Sequence, residues 1–322
     1  MSNKLKILVI RLSSIGDIVL TTPLIRCLKQ QANAEIDYLT KRRYKDLLIS
    51  NPNIREIFCL GEGSKNTLEI LRKKEYDLVV DLQNNFRSLK VRLSLGLKSY
   101  VFSKENFKRY LLIYFGVDLL KNHIVDRYFK TVEQFGIKND NQGIDYFLNK
   151  DLNVEFNINQ DYIAWNIGAA HEPKKLSVTQ ISAVINQLDI PVVLIGGITE
   201  KKMSDKIIST THSSNVYDFC GDLSFEESAY LIKNSKMVLT NDTGMMHIAS
   251  AFNSPIISFW GCTKPSLGFH PYMPNEKSEH IIINLSKRPC SKYGKSCRFF
   301  EKGCIKKINS SEIYNTIIRL LK

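Results

Sequence analysis

Long hydrophobic runs are missing from this 322-residue chain: stretches such as LLIYFGV and PIISFWG fall far short of the roughly 20 apolar residues that span a bilayer. The opening MSNKLKILVIRLSS is broken at Arg11 and has no small-residue cleavage site, so it reads as a first β-strand rather than a signal peptide. A cytoplasmic protein is expected, with peripheral contact to the cytoplasmic face of the inner membrane left open. GxGxxG and GxxxxGK(S/T) are absent from the places where they would act, which removes the common dinucleotide and P-loop readings. No Asp-x-Asp pair is available to chelate a divalent ion. No Arg-rich arm, RNA-binding aromatic signature or paired Cys/His finger is present, so no nucleic-acid partner is expected.

Closely paired cysteines are also absent. Of the seven, Cys27, Cys59, Cys220 and Cys262 lie in or beside apolar segments, where a reduced thiol behaves as a small hydrophobe. Cys290, Cys297 and Cys304 recur at seven-residue intervals in CSKYGKSCRFFEKGC, which is not the spacing of paired zinc ligands. The expectation is therefore no metal and no cofactor.

What the chain does have is an ordinary globular balance, 43% hydrophobic and 24% charged, with a formal net charge of +13. That charge favours anionic partners such as phosphorylated small molecules or an acidic membrane face. The length suits two domains. KILVIRL, EIDYLT, IREIFCL, DLVVDL and KSYVFS read as β-strands with amphipathic stretches between several of them, the logic of a parallel α/β sheet. In TPLIRCLKQQA, Thr22 reads as helix cap and Pro23 as first helical residue. The segment from Asp126 to Gln160, rich in Asn, Asp and Gly, reads as a linker. A second series follows in DYIAWNIGA, IPVVLIGG, NVYDFC, KMVLTND, PIISFWG and HIIINL, and SSEIYNTIIRLL closes as a helix. Two Rossmann-like domains result, residues 1–155 and 156–322, with a C-terminal helix able to pack back on the first. Ligands are expected in a cleft between the C-terminal ends of their strands.

Several segments carry candidate chemistry, each beside a purely structural alternative. MVLTNDTGMMHIASAF ends an apolar strand at Thr240, follows it with Asp242 and opens a helix through Thr243 and Gly244 toward His247, a ready anion site; equally, Asp242 or Thr243 is only a helix cap. In NIGAAHEPKKLS, Lys174 and Lys175 leave a strand end, as neutralisers of a diphosphate or as a solvated pair. In VVLIGGITEKK, Gly196 and Gly197 turn the chain and Glu200 is a candidate partner for ribose hydroxyls. DLVVDLQNNFRSLKVR sets Asp81, Gln83, Asn84, Asn85 and Arg87 at a strand end, suited to an anionic sugar acceptor or to an ordinary polar loop. SKENFKRYLLIYFGVDLLKNHIVDRYFK mixes cations and aromatics, as at a membrane interface or in core packing with a basic outer face.

Taken together, ILVIRLSSIGDIVLTTPLIRCL, DLVVDLQNNFRS, KKLS after NIGAAHEP, and NDTGMMHIASAFNSPIISFWGCTKPSLGFHPY resemble glycosyltransferase family 9, the heptosyltransferases of lipopolysaccharide core. The resemblance spans nearly the whole chain. It implies a GT-B architecture and an inverting, metal-independent transfer from a nucleotide-activated sugar, typically ADP-heptose, to a hydroxyl of a lipid-linked saccharide. On the matching positions it implies Asp17 as general base and Lys174, Asp242, Thr243, Gly244 and His247 on the donor side. The residues themselves add Ser13, Ser14, Gly16, Asn84 and Arg87 as acceptor-side candidates and Gly196 and Glu200 as donor-side ones. Where many members have Lys-Arg-Trp-Pro, this chain has Lys174, Lys175, Leu176 and Ser177. The cysteine-rich tail resembles that of some members, with Arg288 in place of its first cysteine. The competing readings are a non-catalytic nucleotide-sugar or polyanion binder and a family member with another donor sugar.

Overall fold

The structure, a computed structural model, describes residues 4–61, 64–152, 154, 158 and 160–322, without the side chains of residues 64 and 65. Two compact units are present, one formed by Met1–Glu105 and Asn122–Asn149 and the other by Asn106–Lys121 and Lys150–Lys322. The boundary expected at 155/156 and part of the expected linker lie outside the described residues.

In the first unit, β1 (Lys6–Ile10), β2 (Glu35–Lys41), β3 (Glu56–Leu60), β4 (Leu78–Asp81) and β5 (Ser99–Val101) form a parallel sheet in the order β3-β2-β1-β4-β5. Leu8, Val9 and Ile10 are fully buried, as expected of a central strand covered on both faces. The helices of this half are α1 (Ile15–Val19), α2 (Thr22–Gln31), α3 (Ser64–Lys73) and α4 (Phe86–Leu95). After α5 (Asn106–Phe115), which clusters with the second unit, α6 (Ile124–Val132) returns to the first. Gly96 ends α4 in the left-handed region at φ 65°, a conformation that glycine adopts without a Cβ penalty.

Two local expectations need correcting. The cap of α2 is Thr21 rather than Thr22, and Thr22 Oγ1 instead donates to Val19 O at 2.8 Å and accepts the Asp145 amide at 2.8 Å. The segment read as a linker begins inside α6, whose Ile124, Val125, Tyr128, Phe129 and Val132 are buried. Its Asn/Asp-rich continuation is tied to α2: Arg26 Nε and Nη2 bond Asp140 at 2.7 and 2.8 Å, and Nη1 pairs with Asp145. Single-residue composition hid this, because the order comes from a buried guanidinium more than a hundred residues upstream.

The second unit is built on β6 (Ile163–Asn166), β7 (Val192–Ile195), β8 (Val216–Asp218), β9 (Met237–Asn241), β10 (Ile256–Trp260) and β11 (Glu279–Ile282), all parallel, in the order β11-β10-β9-β6-β7-β8. Its helices are α7 (Val178–Ile185), α8 (Lys201–Thr210), α9 (Phe225–Lys233), α10 (Gly244–Ala251) and α11 (Ser310–Leu321). Ser177 and Ser224 cap α7 and α9 through reciprocal bonds with Gln180 and Glu227. The C-terminal helix α11 packs on α7 in its own unit, burying Ile313 and Ile317 in the same core as Ile181 and Val184. The mixed cationic and aromatic stretch divides: α6 is core, whereas α5 exposes Phe107, Tyr110, Tyr114 and Phe115.

Candidate active site

In each sheet the strand order reverses once. In the first it does so between β1 and β4, in the second between β6 and β9. The loops leaving such neighbouring strands diverge in opposite directions and open a crevice at the carboxyl ends, where open α/β sheets bind ligands. Residues 11–17 follow β1, 82–87 follow β4, 167–175 follow β6 and 242–244 follow β9. Most of the residues singled out from sequence therefore fall on one of the two switch points.

In the first unit, Asp17 sits in the first turn of α1. Its Oδ2 accepts the Ser14 amide at 3.1 Å and the Ser14 hydroxyl at 3.0 Å, and its Oδ1 meets Arg11 Nη2 at 2.7 Å. Burial alone would raise the carboxyl pKa. The Arg11 charge and the Ser14 hydrogen bonds outweigh it, and Asp17 is held below the ordinary carboxylate range. Arg11 is itself anchored, with Nε on Ser13 O at 2.8 Å and Nη1 on Leu82 O at 2.5 Å. Gly16 is buried under this turn. Asp17 thus does cap a helix, the short α1, while keeping a carboxylate edge at the switch point.

The polar run after β4 splits by role. Gln83 Oε1 accepts the Leu12 and Ser13 amides at 2.8 and 3.2 Å, stitching the two loops together. Asp81 is fully buried, accepts the Gln83 and Asn84 amides and pairs with Arg92 at 2.9 Å. Asn84, at φ 45°, donates to Phe102 O at 2.9 Å, and Asn85 caps α4. Arg87 alone is exposed. Arg87 and Arg43 are both positive neighbours of Lys41, and together with partial burial they push the Lys41 pKa down. A second cationic feature is Arg127 on α6, 4% exposed, lining a cavity of about 110 Å³ with Ser103, Glu105, Lys130 and Thr131. Burial lowers its pKa, opposed by Glu105 and, more weakly, by Asp17. Lys41, Arg43 and Arg127 escaped the sequence reading. Of these only Arg127 had a signal, its place among the aromatics and cations of HIVDRYFK.

In the second unit, Lys174 Nζ meets Asp242 Oδ2 at 2.8 Å, and Thr263 Oγ1 donates to the same oxygen at 2.8 Å. Lys174 is therefore an ordered cation at the switch point, not a solvated surface lysine. Thr243 is the N-cap position of α10 and its Oγ1 accepts from Asn166 Nδ2 at 3.0 Å, so its hydroxyl fastens β6 to β9. Gly244 opens α10, and His247 is buried one turn further on. The first-turn amides of α10 have no partner within the helix, which makes this end electropositive. Lys174 and Lys295 lie close enough to His171 to add to burial in lowering its pKa.

Lys175 and Glu200 form a separate pair at 2.7 Å. The other Glu200 oxygen accepts the Gly197 amide at 3.1 Å and the Thr199 hydroxyl at 3.0 Å. Glu200, 6% exposed, is engaged in holding its own turn. Gly196 lies directly under it: a Cβ there would stand 2.9 Å from Glu200 Cβ and 3.1 Å from Cys220 Sγ. Cys262, which sequence placed with the apolar cysteines, joins Cys290, Cys297 and Cys304 in one group, its Sγ 3.5 Å from Pro173 O on the loop that carries Lys174.

The family model described as glycosyltransferase family 9 (heptosyltransferase) matches residues 66–300, and the chain belongs to this family. It is 24% identical over 290 residues to lipopolysaccharide heptosyltransferase 1 of Campylobacter coli, covering 80% of this chain and 84% of that protein. The glycosyltransferase family 9 structure from Veillonella parvula superposes with a TM-score of 0.81 at 19% identity, over 100% of this chain and 98% of that one. The E. coli ADP-heptose lipopolysaccharide heptosyltransferase II structure gives 0.74 at 21% identity, over 98% of each chain. The fold is the GT-B type, built of two Rossmann-like domains. The protein is a glycosyltransferase that moves a sugar from a nucleotide-diphosphate donor to an acceptor. Among the described residues no helix is long and apolar enough to cross a membrane.

Proposed function

We propose that this is an inverting heptosyltransferase whose chemistry uses no metal on the diphosphate, with ADP-heptose as donor and a hydroxyl of a lipopolysaccharide core saccharide as acceptor. The observation that carries the reading is the ordered Lys174–Asp242 pair at 2.8 Å beside the Thr243–Gly244 start of α10 at the β6/β9 switch point. Without an Asp-x-Asp device, a cation and a helix N-terminus are what this chain offers to a departing diphosphate.

The step is a single in-line displacement. The acceptor oxygen forms a bond to the anomeric carbon while the bond from that carbon to the β-phosphate oxygen breaks. The hydroxyl proton passes to Asp17, and ADP leaves with the electron pair, stabilised by Lys174 and the α10 amides. Arg11 keeps Asp17 ionised, so its effectiveness comes from position more than from basicity. Asp242 shares the sign of the diphosphate. Its role is to park Lys174 and, once donor is bound, to take sugar hydroxyls. Arg87 with Lys41 and Arg43, and separately Arg127, suit anionic groups on the acceptor. The exposed Phe107, Tyr110, Tyr114 and Phe115 of α5, together with the net charge of +13, support peripheral contact with the cytoplasmic face of the inner membrane.

The test is a donor panel. ADP-, UDP- and GDP-sugars are each incubated with a delipidated core acceptor, nucleotide release is followed and the product is weighed by mass spectrometry. ADP release with a heptose-sized mass gain is expected. Turnover confined to a UDP- or GDP-sugar would overturn the donor assignment, and binding without turnover would favour the non-catalytic reading.

A further inference from the structure

We propose that Cys262, Cys290, Cys297 and Cys304 form a tetrathiolate site for one thiophilic metal ion, zinc or iron, which clamps the loop carrying Lys174. The four sulfurs all lie within 4.8 Å of one another, and none is in a disulfide. Cys262 and Cys304 Sγ are 3.7 Å apart, and Cys290 and Cys297 Sγ are 4.0 Å apart. A tetrahedral ion with bonds of about 2.3 Å to sulfur sets its ligands about 3.8 Å from one another. Three of the four cysteines are buried and the fourth half-buried, a closed set with no position left for substrate. Such a donor set selects zinc or iron over the hard cations that bind phosphate.

The surroundings suit an anionic centre. Four thiolates around a divalent ion carry two net negative charges, and the Arg288 guanidinium, 3% exposed, is packed against the cluster. Its Nη2 donates to Thr263 O at 3.3 Å, while its buried Nε has no hydrogen-bond partner among the described residues. The arginine that stands where the related tail has its first cysteine thus supplies compensating charge rather than a ligand. Cys262 in turn supplies the ligand that a regular seven-residue spacing lacked. It comes from the end of β10, far from the other three in sequence.

The cluster also touches the donor loop. Cys262 Sγ faces Pro173 O at 3.5 Å, and the neighbouring Thr263 holds Asp242. Between the cysteines, Gly303 lies so close that a Cβ would stand 2.5 Å from Pro173 Cα, and a Cβ on Gly294 would stand 2.6 Å from Lys174 Cδ. An ion tying β10 to residues 290–304 therefore fixes both members of the Lys174–Asp242 pair without meeting the substrate. This second half of the inference rests on the proposed donor role of Lys174; the metal site itself does not.

The direct test is elemental analysis of the purified full-length protein. About one zinc or iron per chain is expected, and the visible colour of an iron tetrathiolate separates the two. Cys297→Ser should lose the metal and Cys59→Ser should keep it. Since a cysteine variant can misfold, the native chain is also stripped by chelator in denaturant and refolded with cobalt(II). The visible bands of a tetrahedral cobalt thiolate are expected. Metal below about one-tenth per chain with no cobalt thiolate bands, disulfides linking these four cysteines, or metal fully retained in folded Cys297→Ser would each overturn the site. Metal-free protein should bind ADP about ten-fold more weakly than the metal-loaded form. Equal affinity of the two forms would overturn the clamp, whereas no ADP binding by the metal-loaded form would count against the donor reading instead.

Discussion

Each sheet presents a cation–carboxylate pair at its switch point, Arg11–Asp17 at 2.7 Å in the first and Lys174–Asp242 at 2.8 Å in the second. The roles are reversed. In the first, a rigid, permanently charged guanidinium anchored on two carbonyls holds a carboxylate in its ionised form, and the carboxylate is the group we propose to take the proton. In the second, a carboxylate steadied by Thr263 pairs with a flexible lysine, and the lysine is the group we propose to meet the diphosphate. Arginine suits the fixed partner, because its planar fork binds carboxylate and carbonyls together. Lysine suits the mobile one, because a point charge on a long stem can turn from carboxylate to phosphate.

The comparison can be broken one residue at a time. Asp17→Asn removes the proposed base and should lower kcat by about a thousand-fold, with ADP affinity by calorimetry unchanged. Lys174→Ala should lower kcat/KM for the donor by about a hundred-fold or more and weaken ADP binding as well. If Lys174→Ala left ADP binding intact, the second pair would be only structural.

Gly196→Ala probes how tightly the second unit holds its turn. A Cβ 2.9 Å from Glu200 Cβ forces a shift, and a loss of about 1–3 kcal/mol is expected in thermal unfolding. An unchanged melting temperature would mean that the Glu200 turn yields freely.

Arg11→Met tests the first pair through pH. In the wild type the Asp17 pKa is depressed, so the acid limb of kcat/KM should lie below the ordinary carboxylate value of about 3.9. Without Arg11 burial dominates, and that limb should rise by about one unit or more. Because the folded-state pKa lies below the unfolded one, the pair contributes stability above the ordinary carboxylate range and loses it as pH falls through the depressed pKa. Denaturant titrations at neutral and acid pH should show that dependence flattened in Arg11→Met. The smallest effect is expected for Arg87→Ala: an acceptor KM raised about three- to five-fold, with kcat and ADP binding unaltered.

Much of this architecture was legible from residue order alone. All the strands read from sequence are present, because buried parallel strands such as VVLI and IISFW are nearly continuous apolar runs that little else produces. The switch-point segments were legible too, since glycine, acid and threonine at a strand end are sparse and distinctive. What escaped depended on partners remote in sequence. The ordering of Asp140 and Asp145 needed Arg26, the clustering of Lys41 and Arg43 with Arg87 needed the sheet, and the fourth cysteine needed β10. The place of Asp17 in a helix start was not legible either, because α1, five residues long, is too short for an apolar periodicity to mark it.

The most direct test of the account is nucleotide release from ADP-heptose by Asp17→Asn, measured beside its ADP dissociation constant. The account predicts turnover lowered by about a thousand-fold with the dissociation constant equal to that of the wild type. Turnover near the wild-type rate, or turnover and binding lost together, would contradict it.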